Sequence, residues 1–325
     1  MRFAPLGVAG QRRLRQARVG IVGLGALGSA VAEQLARAGV GYLRLIDRDV
    51  VEASNLPRQA LYTPDDAEAG RPKALAAAAH LARLAPDCTL DPVPSELDAD
   101  NAFRLLSGLD LVIDGLDTFA ARHLLNDACC QLALPWVHGA VLGAQGQSLA
   151  VIPGDSACWR CLQPEPPEPA DSPTCDSVGV IIPAVRLVAA WQAALALQLL
   201  VDRSRLRRAL WACDLWTGTW QQLMVPRDPG CRSCGPAADR PALAGAPAAV
   251  VLCGRQAVQL RRPAPGELRS LAARLGAAAR ILDGVCLRVV AEGLSATCFP
   301  DGRVLVQGTG DPVQARAWCD RWLGG

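Results

Sequence analysis

The sequence predicts an α/β fold: a doubly wound, mostly parallel, Rossmann-like sheet followed by a small C-terminal α+β domain. Three observations predict it. The apolar run Val19–Val22 leads into Gly23-Leu24-Gly25-Ala26-Leu27-Gly28, a GxGxxG turn placed between a strand and a helix. Strand-like and alanine-rich helical stretches then alternate as far as residue 132, as βαβ units require. Beyond a Pro- and Ala-rich stretch at 236–248, several short strands occur with only two helical segments instead. The expected organisation is therefore a nucleotide-binding domain over 1–235, a linker over 236–248 and a small domain over 249–325.

Each element follows from its local pattern. Residues 18–23 read as a buried strand, uncharged and mostly apolar from Val19 onward, as in a strand covered on both faces. Residues 26–38 form a helix rich in alanine, and 41–47 form the next strand, which ends at Asp47. A helix over 73–84, a strand near 88–94, a helix near 99–107, a strand over Leu109–Asp114 and a helix over 119–132 continue the alternation. Pro135–Gly143 and Ser148–Ile152 read as further strands, open to antiparallel pairing. Gln163–Pro169 carries four prolines in seven residues and reads as a stiff extended loop. Residues 180–201 are apolar enough to raise the question of a membrane span. Pro183, Arg186, Gln192 and Gln198 interrupt them, so a core or dimer-interface helix is expected and no membrane. Strands near 209–215 and 219–225 close the first domain. The second is expected to hold strands near 249–252, 257–261, 286–292, 294–299 and 303–307, with helices near 266–276 and 311–322.

Composition narrows the function. With 325 residues, a net charge of +2 and 4% aromatics, the chain shows no nucleic-acid-binding signature. Thirteen cysteines without a signal peptide predict a cytoplasmic protein, where thiols bind metal, react or fill core. Arginine almost wholly replaces lysine, and the single lysine, Lys73, sits in Gly70-Arg71-Pro72-Lys73. A compact ammonium there suits phosphate as a point charge.

Gly23, Gly25 and Gly28 let backbone N–H groups approach phosphate at a helix N-terminus, without deciding which nucleotide. Asp47, at the end of the second strand, is placed to accept from ribose hydroxyls. Asn55, Arg58 and Gln59 follow in Ser54-Asn55-Leu56-Pro57-Arg58-Gln59 and offer amide donors and a planar fork for phosphate. A dinucleotide dehydrogenase needs the glycines and the acid but has no use for this cluster; an enzyme that holds and breaks a triphosphate does. In Asp114-Gly115-Leu116-Asp117, Asp117 is the candidate magnesium ligand and Asp114 orients the loop, with N-capping of the next helix as the competing reading. Cys158-Trp159-Arg160-Cys161 and Cys231-Arg232-Ser233-Cys234 are two CxxC pairs that suit a closed, structural zinc site. Cys175 stands unpaired past the Pro-rich loop, equally readable as a reactive thiol or an inert one. His80, His123 and His138 sit in unrelated settings and make no triad; helix surface or core is expected for each.

The ordered set GLGALG, Asp47, SNLPRQ, GRPK, DGLD, CWRC, PTCDSVGV and CRSC, over about residues 5 to 235, resembles the ThiF/MoeB adenylyltransferases, relatives of ubiquitin-activating enzymes. The resemblance implies ATP and Mg as cofactors, with Zn in the four-cysteine site. It implies adenylylation of the C-terminal glycine of a small β-grasp sulfur carrier ending in Gly-Gly, ahead of thiocarboxylate formation for thiamine, molybdopterin or a related pathway. Asp47 would hold the ribose, with Asn55, Arg58 and Lys73 on the phosphates, Gln59 beside them and Asp117 on magnesium. Arg58, Lys73, Asp117 and Cys175 would be the catalytic set, Cys175 joining the sulfur chemistry. A homodimer and a desulfurase or rhodanese as sulfur donor are further implied. The sequence departs from the family in its opening arginine segment, which leaves three readings, a truncated start, substitution by Arg2 or Arg12, or impaired activity, and in DGLDT for DxTDN. A non-catalytic carrier-binding scaffold and, from the glycines and Asp47 alone, an NAD(P)-dependent oxidoreductase are the competing functions.

Overall fold

In this computed structural model, residues 3–167, 178–244, 250–251, 256–262 and 267–324 are described. The chain divides into two units, Met1–Gly245 and Ala246–Gly325.

The first unit opens with α1 (Gly7–Gln16), which periodicity does not announce because only Gly10 and Leu14 are buried. Next come β1 (Arg18–Val22), α2 (Ala26–Ala38), β2 (Tyr42–Ile46), α3 (Pro64–Ala69), α4 (Lys73–Leu84), β3 (Thr89–Val93), α5 (Ala102–Leu106), β4 (Leu111–Asp114) and α6 (Phe119–Gln131). Then follow β5 (Trp136–Leu142), β6 (Gln145–Val151), α7 (Trp159–Leu162), α8 (Ile182–Val201), β7 (Ala209–Asp214) and β8 (Thr219–Met224). The short α3 has too few turns for a hydrophobic stripe. It is held by its ends: Thr63 and Asp66 form a reciprocal capping box, and Gly70 closes it in the left-handed region.

The eight strands run in the order β3-β2-β1-β4-β5-β6-β7-β8. Strands β1 to β5 pair in parallel, and β6, β7 and β8 add on antiparallel. Consecutive strand residues point to opposite faces, so Val19 and Ile21 pack with α2, α4 and α8, while Val22, Val112 and Trp136 pack with α5, α6 and α7. The chain order reverses around β1, between β2 and β4, and the crevice outside the carboxyl ends of these strands is where such sheets bind ligands.

Helix α8 is long and apolar enough to cross a membrane by length and composition. Its Ala184, Val185, Val188, Ala189, Ala193 and Ala196 are buried in the core. Its mid-helix Gln192 is fully buried because its amide donates to Asp114 O (2.8 Å) and Val137 O (3.3 Å). The stretch past residue 235 is docked as far as 244: a single helical turn at Pro241–Leu243 is fixed by Ala242 N donating to Asp127 Oδ2 (3.0 Å).

The second unit contains β9 (Val250–Val251), β10 (Ala257–Arg261), α9 (Leu268–Leu275), β11 (Ala279–Leu282), β12 (Cys286–Ala291), β13 (Leu294–Cys298), β14 (Arg303–Gln307) and α10 (Pro312–Leu323). Its strands form an antiparallel sheet in the order β11-β12-β13-β14-β10-β9. Strand β11 is the one the sequence pattern does not reveal, with only Leu282 fully buried. Leu287, Val289, Ala296, Cys298, Val304 and Val306 form the core with Trp318 and Cys319 of α10.

Candidate nucleotide site and cysteine cluster

The glycine turn is built by steric necessity at two of its three glycines. Gly23 has φ +87°, and a Cβ there would lie 2.5 Å from Gly115 O. A Cβ on Gly28 would lie 1.8 Å from Gly23 O. Gly25 differs: a Cβ there would meet only Gln59 Nε2, at 3.9 Å. The protein leaves space in front of Gly25, at the N-terminus of α2, where the helix dipole favours an anion.

Asp47 lies just past β2 and 7% exposed. Its Oδ2 accepts from Leu24 N (2.6 Å) and its Oδ1 from Asp49 N (2.7 Å), which ties the acid to the glycine turn. Burial pushes the Asp47 carboxyl up, Lys73 partly opposes that shift, and the charge of Asp49 adds to it. Lys73 starts α4 and is 2% exposed; its Nζ donates to Asp49 Oδ2 (3.1 Å) and its backbone N to Asp49 O (2.9 Å). Tyr62 donates its hydroxyl to Leu24 O (2.7 Å) from beneath the turn.

Asn55 and Gln59 are both buried, one helical turn apart, and Gln59 Nε2 donates to Asn55 Oδ1 (3.1 Å). Asn55 Nδ2 donates to Ser54 Oγ (3.0 Å), and the partly exposed Arg58 donates from Nη1 to Ser54 O (2.9 Å). The loop thus brings these three residues together, with Gln59 reaching toward Gly25.

Asp114 is fully buried at the end of β4. Its Oδ1 accepts from Leu116 N (2.9 Å), and its Oδ2 accepts from Arg122 Nε (2.7 Å) and His138 Nδ1 (2.8 Å). Burial alone would raise its carboxyl, but Arg122 and His138 outweigh that and hold it below the ordinary value. Burial lowers His138, so its neutral form donates from Nδ1 while Nε2 receives the amide of Gln147 (3.3 Å). The capping role falls to Thr118, whose hydroxyl accepts from Ala121 N (3.3 Å) at the start of α6. Asp117 is exposed at the crevice. Its charge reaches Arg48, where burial pulls the guanidinium down but Asp49, Glu96 and Asp117 together hold it above its ordinary value. Arg48 Nη1 pairs with Glu96 Oε1 (2.6 Å).

The two CxxC pairs meet. The Sγ atoms of Cys158, Cys161, Cys231 and Cys234 all lie within 4.8 Å of one another, with 3.9, 3.6 and 3.5 Å for 158–161, 158–231 and 161–234. A tetrahedron of thiolates about 2.3 Å from zinc has edges of about 3.8 Å. These separations are far beyond a disulfide bond of about 2.05 Å. Asp228 N points at Cys161 Sγ (3.4 Å), Ser233 N at Cys231 Sγ (3.4 Å) and Asn126 Nδ2 at Cys158 Sγ (3.7 Å), which favours the ionised sulfurs a metal needs. Proximity to Cys158 and burial push the Cys161 thiol up to about 12, a cost that a bound dication would reverse. Asp127 and Arg160 brace the cluster: Asp127 accepts from Ser233 Oγ, and Arg160 donates to Ser233 Oγ (2.9 Å) and Asp127 Oδ2 (3.3 Å).

Asp49 and Arg122 are the residues that sequence reasoning passed over, and His138, expected on a helix surface or in the core, is buried but partnered with Asp114. Asp49 had a visible signal, a second acid two positions after Asp47. His138 had none, since only the pairing of β4 with β5 places it beside Asp114. Arg12 is exposed on α1, while Arg2 and Cys175 lie outside the described residues.

Residues 1–233 match the ThiF family. The whole chain is similar to the sulfur carrier protein ThiS adenylyltransferase of Bacillus subtilis (strain 168): 37% identical over 330 aligned positions, covering 99% of this chain and 97% of the relative. That match runs through the C-terminal unit. The SAMP-activating enzyme E1 of Haloferax volcanii is 40% identical over 231 positions, covering 71% of this chain and 84% of its own. The molybdopterin-synthase adenylyltransferase of Salmonella typhimurium is 37% identical over 228 positions, covering 70% and 90%. Among solved structures, E. coli MccB crystallised with ATP shares the fold, with a TM-score of 0.61 at 21% identity over 70% of this chain and 69% of that one.

Proposed function

The chain belongs to the ThiF family, and on that premise we propose that it adenylylates the C-terminal glycine of a small ThiS- or MoaD-like sulfur carrier protein with ATP. A carboxylate oxygen of the carrier attacks the α-phosphorus. The bond from that phosphorus to the bridging oxygen breaks, and pyrophosphate leaves with the electron pair. The product is an acyl adenylate, ready for thiocarboxylate formation in a thiamine, molybdopterin or related pathway. An ionised carboxylate needs no general base, so catalysis reduces to placing fixed charge where negative charge develops.

In this reading, residues 1–235 are the catalytic domain and 249–325 an extension of it. Gly23, Gly25 and Gly28 present the N-terminus of α2 to the phosphates, and Asp47 takes the ribose. Asn55, Arg58, Gln59 and Lys73 surround the phosphates, and Asp117 holds magnesium, which when bound would neutralise phosphate oxygens. Cys158, Cys161, Cys231 and Cys234 hold zinc as a closed structural site, which fits their four converging sulfurs. Cys175 joins the sulfur step, with a desulfurase or rhodanese as donor, in a cytoplasmic homodimer.

The observation that carries the reading is the buried Lys73–Asp49 pair next to Asp47 and the glycine turn. A nicotinamide enzyme has no task for a buried ammonium there, whereas a triphosphate does. The test is carrier-dependent exchange of labelled pyrophosphate into ATP, using the Gly-Gly carriers encoded by the same organism. Exchange with one of them is expected; ATP binding without exchange for every carrier would overturn the adenylylation reading.

A further inference from the structure

We propose that Trp159, inside the first CxxC pair, and His138 are positioning residues that let the four-cysteine cluster set the geometry of the Gly115–Asp117 loop. The proposal rests on the reading of that cluster as a zinc site and of Asp117 as the magnesium acid. Trp159 is 2% exposed between Cys158 and Arg160, and its backbone N donates to Asn126 Oδ1 (2.9 Å). Its indole N–H finds no acceptor among the described residues, so the ring acts through its faces and edges. Those meet both partners of Asp114. The His138 ring lies 4.4 Å away between centroids, and the Arg122 guanidinium carbon stands 5.2 Å from the indole centroid.

From there the contacts are short and directional. His138 and Arg122 both hold Asp114 Oδ2, while Asp114 Oδ1 holds Leu116 N. Arg122 Nη2 also donates to Leu116 O (2.8 Å), so the Leu116 residue is clamped at its N–H and its carbonyl by the same ion pair. Asp117 is the next residue. The other side of the loop is pinned by Gly115 N donating to Val22 O (2.8 Å) and by the close approach of Gly115 to Gly23. Rotation of the first CxxC pair therefore moves the indole, both Asp114 partners and the loop as one packed unit.

Hydrogen exchange at Leu116 and Asp117 reads this link without relying on catalysis. Zinc content is measured on the purified chain, zinc is then stripped with a chelator, and exchange is compared with and without it. In the wild type, stripping should speed exchange at Leu116 and Asp117 by about tenfold while Ile21 in the sheet core stays protected. His138→Asn keeps a donor for Asp114 but no ring, so its Leu116 should respond to zinc several-fold less. Trp159→Ala should exchange quickly at Leu116 with zinc bound and ignore its removal. In activity assays of the zinc-loaded forms, both variants should raise the KM for MgATP and leave the KM for the carrier unchanged. A chain that binds no zinc refutes the metal assignment and the link with it. A zinc-loaded chain whose Leu116 ignores stripping, or opens only together with Ile21, refutes the link alone. Undiminished zinc sensitivity in His138→Asn refutes it even where Trp159→Ala does not fold.

Discussion

Lys73 Nζ lies 3.1 Å from Asp49 Oδ2, with the lysine 2% and the aspartate 8% exposed, so the ammonium of the chain's one lysine is stored on a carboxylate beside the glycine turn. An incoming phosphate must compete with Asp49 for it. Asp49→Asn keeps the shape and removes the competitor, leaving a buried cation short of a partner at a cost of about 3 kcal/mol. The variant should melt at a lower temperature than the wild type, and MgATP should raise its melting point by more than it raises the wild type's. Equal nucleotide-induced shifts in the two proteins would show that Lys73 never leaves Asp49.

Lys73→Arg probes the same point by size. The site is closed, and a larger planar head should cost about 1–3 kcal/mol of stability. Pyrophosphate exchange should fall by roughly a hundredfold, because the charge can no longer reach where it builds up. Exchange within a few-fold of the wild type would remove the argument from the solitary lysine.

The glycines should separate. Gly28→Ala meets a backbone oxygen at 1.8 Å and should compromise folding, seen as loss of soluble protein or a large fall in the denaturation midpoint. Gly25→Ala has room and a negative φ of −71°, so it should fold like the wild type but bind ATP weakly, measured by calorimetry. Normal ATP affinity in Gly25→Ala would place the phosphates elsewhere.

His123 supplies the pH dependence. It is 2% exposed, neither ring nitrogen has a partner among the described residues, and burial with help from Arg160 lowers it to about 4. The unfolded value is about 6.5, so between those pH values the unfolded chain binds the extra proton. The stability from keeping this ring neutral is complete above pH 6.5 and drains away as pH falls toward 4. His123→Phe should flatten that decline, read from urea midpoints at pH 7.5, 6 and 5; parallel declines would show that His123 is not its source.

Cys161→Ser should lose zinc, measured by a colorimetric chelator. A loss of even about 3 kcal/mol corresponds to a fall of roughly 6–12 °C in the melting temperature. A variant that melts with the wild type would make the cluster dispensable for the fold.

Much of the site was legible because its residues are local in sequence. The turn from Gly23 to Gly28, the acid just past β2, and the Asn55–Gln59 segment each announce themselves within a few positions. The two CxxC pairs announce themselves by composition, though they lie 73 positions apart, from Cys158 to Cys231. Short elements such as α3 and β11 were hidden, since a stripe needs more residues than they have and their definition comes from caps and pairing partners.

By itself, the sequence determined the strand–helix alternation, the ligand types for phosphate and zinc, and the family that these motifs resemble, because period and spacing are properties of neighbouring residues. Only the tertiary structure decided that Lys73 rests on Asp49, that Thr118 rather than an aspartate caps α6, and that His138 and Arg122 share Asp114. Those relationships depend on which strands lie side by side and on which side chains lose water together. Desolvation makes a distant partner obligatory, and no local pattern encodes it.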